Sequence, residues 1–190
     1  MRRVKARSVQ RAQAFCLSLV FSALLGVLFP LSAATREPGI VLTVVKDDFV
    51  LSAYDEQDAA QGPRLRVVLG SPAHPTPSGV FPLRQVVRNP SWRPGPIARG
   101  EGATPEPPSS RGPLGIAKIP FGRGGEFSLH GGGSPILLGK PVSLGCVRLS
   151  DADLLALLSW LEERKALTPG VSARGEVHQK FQRPSRLLVQ

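Results

Sequence analysis

Residues Glu126 to Arg148 read E-F-S-L-H-G-G-G-S-P-I-L-L-G-K-P-V-S-L-G-C-V-R. Polar Glu126, Ser128 and His130 alternate with Phe127 and Leu129, the period of a strand that buries its apolar face and turns His130 to the open one. A histidine placed so is suited to act as a base. Sixteen positions on, Ser143-Leu144-Gly145-Cys146-Val147-Arg148 sets a thiol after a glycine, which permits close backbone approach, and near a guanidinium that can hold a carboxylate. The combination predicts a cysteine nucleophile in a site for acyl chemistry, with His130 lowering the thiol pKa and returning the proton. Gly145 and Cys146 are predicted to offer backbone N–H groups to an oxyanion. Ser143 is expected to bond the loop or the substrate, Arg148 to hold a carboxylate or order the loop, and Gly131 to permit the turn after His130.

Upstream, Pro75-Thr76-Pro77-Ser78-Gly79-Val80-Phe81 forms a turn whose prolines fix the backbone, feeding a strand from Val80 to Val87 that Pro82 places at an edge. Three ordered pieces, P-T-P-x-G-x-F, His130-Gly131 and Ser143-x-Gly145-Cys146-Val147-Arg148, resemble the L,D-transpeptidases, the YkuD-type catalytic domain that remodels bacterial peptidoglycan. The resemblance runs from about Ile40 to Ala173. The chain departs from it at Gly132, where many members have Thr, and at Leu144, where many have His or another polar residue. The resemblance implies that Cys146 attacks the carbonyl joining diaminopimelate to the terminal D-Ala of a donor tetrapeptide. D-Ala leaves, and an amine of a second stem resolves the thioester. It implies no cofactor and no metal. The acceptor is left open among a second stem peptide, a lipoprotein lysine and water; with water the enzyme would be an L,D-carboxypeptidase.

The chain has 190 residues, enough for one domain with a substantial core. Its net charge of +10 is concentrated at the start, where Arg2, Arg3, Lys5, Arg7 and Arg11 precede any acidic residue; the remainder holds 19 basic against 14 acidic residues, a net +5. That excess fits an anionic wall or membrane surface, and no nucleic-acid motif accompanies it. Basic residues to Arg11, an apolar run from Ala14 to Leu31 and Ser32-Ala33-Ala34 predict an export signal over residues 1–34, cleaved before Thr35. The run approaches the ~20 residues that span a bilayer, so an uncleaved anchor is the alternative. Either way the catalytic part is expected in the periplasm or cell envelope, touching membrane only through this segment. Cys16 lies in the apolar run, which leaves Cys146 as a lone thiol in an exported chain.

The expected fold is mostly β, a mixed sheet or sandwich with one main helix after the nucleophile loop. Gly39–Val45 and Phe49–Tyr54 read as a hairpin, Arg64–Leu69 as a third strand, and Gly115–Ile119 and Glu126–His130 as further strands. Ser150 and Asp153 form a capping pair for a helix from Asp151 to about Leu167, with Leu154, Leu157, Leu158 and Leu161 as its apolar stripe. Pro169-Gly170 is expected to end it, with Val171–Ala173 returning as a last strand. The domain is thus placed at residues 38–173. Residues 89–112 hold six prolines and four glycines, the composition of a long loop, with Trp92 as its packing side chain. Residues 174–190 read as a basic, solvated tail. Two other readings compete with the enzyme. Metal binding lacks any short ligand spacing among Cys146, His130, His74 and His178, and a non-catalytic wall-binding module would not need the His and Cys.

Overall fold

The computed structural model describes residues 36–190, so the leader, its cleavage site and Cys16 lie outside the described residues. The chain opens with the expected hairpin, β1 (Ile40–Val45) and β2 (Val50–Asp55), followed by β3 (Ala60–Arg66) and the short β4 (Leu69–Gly70). Then come β5 (Gly79–Pro82), β6 (Gln85–Arg88), the one-turn helix α1 (Pro96–Gly100), β7 (Ala117–Phe121), β8 (Phe127–His130), β9 (Pro141–Ser143) and β10 (Val147–Arg148). Helix α2 (Asp151–Glu163) precedes β11 (Val171–Ala173), β12 (Glu176–Lys180) and β13 (Ser185–Val189).

The strands make a mixed five-stranded sheet in the order β3-β2-β1-β13-β5, a mixed six-stranded sheet in the order β10-β8-β7-β6-β12-β11, and a small β4-β9 pair. The fold is mostly β with one main helix, as the sequence predicts. Ile40, Leu42 and Val44 from β1, Ile119 and Phe121 from β7, Leu129 from β8 and Leu187 from β13 meet in one core with the α2 stripe. Phe121 bridges the sheets through ring contacts to Phe81 at 5.3 Å and Phe127 at 5.7 Å.

Four expectations are corrected. The tail is not solvated: β12 lies inside the six-stranded sheet and β13 inside the five-stranded one, parallel to β1, with Ser185, Leu187 and Val189 buried. Two of the basic residues that suggested an arm are instead held in the fold, Arg183 by the buried Asp55 and Arg186 by Glu56. The domain therefore runs to the C-terminus. The strand expected over 80–87 is two strands in different sheets, because the chain crosses between them at Leu83-Arg84, just after Pro82, which lacks a ladder N–H. The third strand ends at Arg66, and Leu69 begins a separate pairing with β9. Helix α2 stops at Glu163 in a Schellman motif, Ala166 N–H to Leu161 O and Lys165 N–H to Glu162 O, with Lys165 at φ +50° where a glycine is usual.

The start of α2 follows the prediction. Ser150 Oγ accepts the Asp153 N–H at 3.0 Å, and the four leucines are buried. Residues 89–112 are held by a two-way backbone bridge between Trp92 and Glu106, at 3.0 and 2.9 Å, around α1.

Candidate active site

Strand β8, which carries His130, is second from the edge of the six-stranded sheet. On one side β10 runs parallel, setting Val147 against Leu129 and Arg148 against His130. On the other, β7 is antiparallel and sets Lys118 against His130. Continuing across β6 and β12, Val87 stands opposite Lys118 and His178 opposite Val87. Cross-strand neighbours share a face. His178, Val87, Lys118, His130 and Arg148 therefore form one rank on the floor of a cleft of about 1470 Å³, while Leu129 and Ile119 face the core. Cys146 immediately precedes β10 and lines the same cleft, two residues along from the rank, beside Ser128.

His130 Nδ1 lies 2.7 Å from Gly131 O, an acceptor only, so Nδ1 carries the proton and Nε2 is the basic nitrogen. The side chain lines the cleft, yet the residue is only 3% exposed. Burial pushes its pKa down to about 4; the Gly131 hydrogen bond and Asp151 oppose this, while Arg148 and Lys118 reinforce it. Burial likewise pushes the Cys146 thiol up, against a backbone hydrogen bond from Ser128 and the charge of Arg148. Both groups are thus neutral at rest near pH 7. No hydrogen bond joins them in this structure.

Behind the thiol the loop is closed by Ser143. Its Oγ donates to Cys146 O at 2.6 Å and accepts the Gly145 N–H at 3.2 Å, and the side chain is fully buried. Gly145 has φ +105°, and a Cβ there would lie 2.6 Å from the Phe127 ring, so both backbone conformation and space require glycine. Its N–H, expected to face an oxyanion, is turned to Ser143, leaving the Cys146 N–H as the donor of the pair not taken within the loop. Gly131 and Gly132 run over the N-terminus of α2, where Asp151 Oδ1 accepts the Ile116 N–H at 3.1 Å and the Gly132 N–H at 3.0 Å.

With this geometry established, the L,D-transpeptidase catalytic domain of the YkuD type matches residues 39–172. The chain belongs to the YkuD family. Comparison with curated protein sequences finds no match. Among solved structures, an L,D-transpeptidase from Mycobacterium tuberculosis H37Rv is similar at 16% identity and a TM-score of 0.51, over 80% of this chain and 58% of that one. L,D-transpeptidase 3 from the same species, solved with a faropenem-derived adduct, is similar at 16% identity and a TM-score of 0.50, over 80% and 60%. At this identity the likeness is one of fold, and the chain spans less than two thirds of either protein's length.

Within this YkuD domain, Cys146, His130 and Arg148 line the cleft, whereas Gly131, Ser143 and Gly145 lie behind its surface. The Arg148 Nε is buried without a hydrogen-bond partner. Thr76 serves the scaffold by accepting the Gly70 N–H at 2.9 Å. His178, expected in a solvated tail, stands at the far end of the rank, 3.1 Å from Glu176. Two residues were missed from sequence. Asp151 was read only as the first residue of the helix; its hold on the turn at 131–132 requires α2 to dock there. Lys118 had a signal, since Ala117 and Ile119 alternate with it, but only the sheet register sets it beside His130.

Proposed function

We propose that this chain is an exported, cysteine-dependent L,D-transpeptidase acting on peptidoglycan stem peptides. The observation that carries this reading is the convergence of Cys146, His130 and Arg148 on one cleft, with the free nitrogen of His130 on the thiol's side of the sheet. As the Cys146 sulfur attacks the carbonyl between diaminopimelate and D-Ala, its proton passes to His130 Nε2. The Cys146 N–H receives the negative charge on the carbonyl oxygen. Collapse gives a thioester, and the protonated imidazole supplies the proton that D-Ala needs to leave as an amine. An amine of a second stem then attacks the thioester, giving up its proton to His130, and the thiol is restored. No cofactor enters, because one amide replaces another.

Transfer is favoured over hydrolysis by the shape of the site. Trp92, Pro96 and Ile97 of the 89–112 segment line the cleft as an apolar rim, which would shed water once the donor is seated. The basic and apolar segments before Thr35 support export to the periplasm or envelope. A lipoprotein lysine is an alternative acceptor amine.

Mass spectrometry after incubation with disaccharide-tetrapeptide tests the reading. Expected are a thioester on Cys146 and a dimer joined between two diaminopimelates, with tripeptide as a minor product. Tripeptide as the main product at high acceptor concentration would replace the transferase with a carboxypeptidase. In material recovered from the envelope, an N-terminus near Thr35 is expected; a peptide retaining Arg11 would show an anchor.

A further inference from the structure

Lys118 is out of place for a structural lysine. It sits on a central strand beside His130, is half-buried, and has no carboxylate within ion-pair distance among the described residues. Its one hydrogen bond, Nζ to Ser91 O, is long at 3.4 Å. Glu176, the acid whose charge reaches it, is already engaged: Oε1 accepts both the N–H and the O–H of Ser91 at 2.7 Å, and Oε2 faces His178. Arg93, also on the cleft wall, adds a second positive charge near Lys118. A partly desolvated ammonium with donors to spare, backed by another cation and open to a cleft, is a seat for an anion.

The distance from the thiol says which anion. Lys118 lies two strands from β10, about 9.6 Å at the backbone. In the donor assumed above, the carboxylate of the departing D-Ala is three bonds from the attacked carbon and stays near Cys146. The far end of the diaminopimelate side chain is six bonds away, an extended reach of roughly 7–8 Å, and it ends in a second amino-acid centre. We propose that Lys118, assisted by Arg93, binds the carboxylate at the far end of the donor's diaminopimelate side chain and so selects donors whose third residue carries that group. This assignment rests on the transpeptidase reading and deepens it.

The test uses the protein with four tetrapeptides: the parent, one with the far carboxylate converted to carboxamide, one with L-Lys at the third position, and one with the D-Glu α-carboxylate amidated. Acylation rates by mass spectrometry and affinities by calorimetry are compared for wild type, Lys118→Met and Lys118→Arg. Wild type is expected to prefer the parent over the first two analogues by roughly tenfold to a hundredfold, the worth of a hydrogen-bonded charge. Lys118→Met should erase that preference, so that the parent and the carboxamide donor acylate this variant at the same rate, and Lys118→Arg should restore part of it. A preference that survives Lys118→Met, or one that follows the D-Glu carboxylate instead, overturns the assignment. If wild type forms no thioester with any donor the transpeptidase reading falls, and the calorimetric comparison still decides whether Lys118 recognises the far carboxylate.

Discussion

The Asp151 carboxylate fills the space that a side chain at residue 131 would need, with Oδ1 set directly against Gly131 while it holds the N–H groups of Ile116 and Gly132. The first residue of α2 thereby fixes the turn that follows His130, and Gly131 O in turn fixes the imidazole. The orientation of the His130 imidazole depends on a helix that begins 21 residues later in the chain.

Asp151→Ala would leave two backbone N–H groups without their acceptor, and a loss of about 2–4 kcal/mol is expected. Chemical denaturation measures it. Since the turn positions His130, acylation should slow as well, even at temperatures where the variant remains folded. Unchanged stability would show that water replaces the carboxylate without cost.

Cys146→Ala should abolish adduct formation with a carbapenem or a tetrapeptide and keep the fold, because the thiol bonds nothing that holds the core together. Intact-mass measurement gives the answer directly. An adduct at the wild-type rate would remove Cys146 from the nucleophile role.

His130 carries a pH signature. Its folded pKa of about 4 lies below the ordinary 6.5, so the unfolded chain binds a proton that the fold does not. Stability contributed by the neutral, buried ring is complete above 6.5 and declines as pH falls towards 4, by roughly 3 kcal/mol in full. Asp55 and Glu176, whose carboxyls are held low, act at more acid pH. His130→Asn should flatten the fall in melting temperature between pH 6.5 and 4 specifically. It should also slow alkylation of Cys146 near neutral pH.

Gly145→Ala would force a side chain into φ +105° and against the Phe127 ring. A cost of about 1–3 kcal/mol is expected from strain alone. Because Phe127 stacks on Phe121, the displacement reaches the core, and thermal melting should fall together with the acylation rate.

Removing residues 184–190 should prevent folding. β13 separates β1 from β5 and supplies Leu187 and Val189 to the core, so its loss exposes two strand edges and a core face. A cooperative melt in the truncated protein would contradict this.

Much of the molecule was legible in its residues because the signals are local. Period-two alternation gave the β1–β2 hairpin and the phase of β8, and the Ser150–Asp153 pair with the leucine stripe gave the start and buried face of α2. The spacing of His130-Gly131 and Ser143-x-Gly145-Cys146-Val147-Arg148 marked the candidate site without any coordinates. What stayed hidden depends on partners distant in the chain. Residues 174–190 looked solvated because their charges, Arg183 and Arg186, find Asp55 and Glu56 only after folding, so a basic, short-strand segment carries no local sign that it is central. The end of α2 was misplaced because Lys165 takes a glycine's conformation. Burial of His130, the turning of the Gly145 N–H towards Ser143, and the placing of Lys118 beside His130 are decided by sheet register and loop closure. Sequence determined which groups were available for chemistry; tertiary structure decided which of them face the cleft, since pairing between strands fixes the neighbours and desolvation fixes the charges.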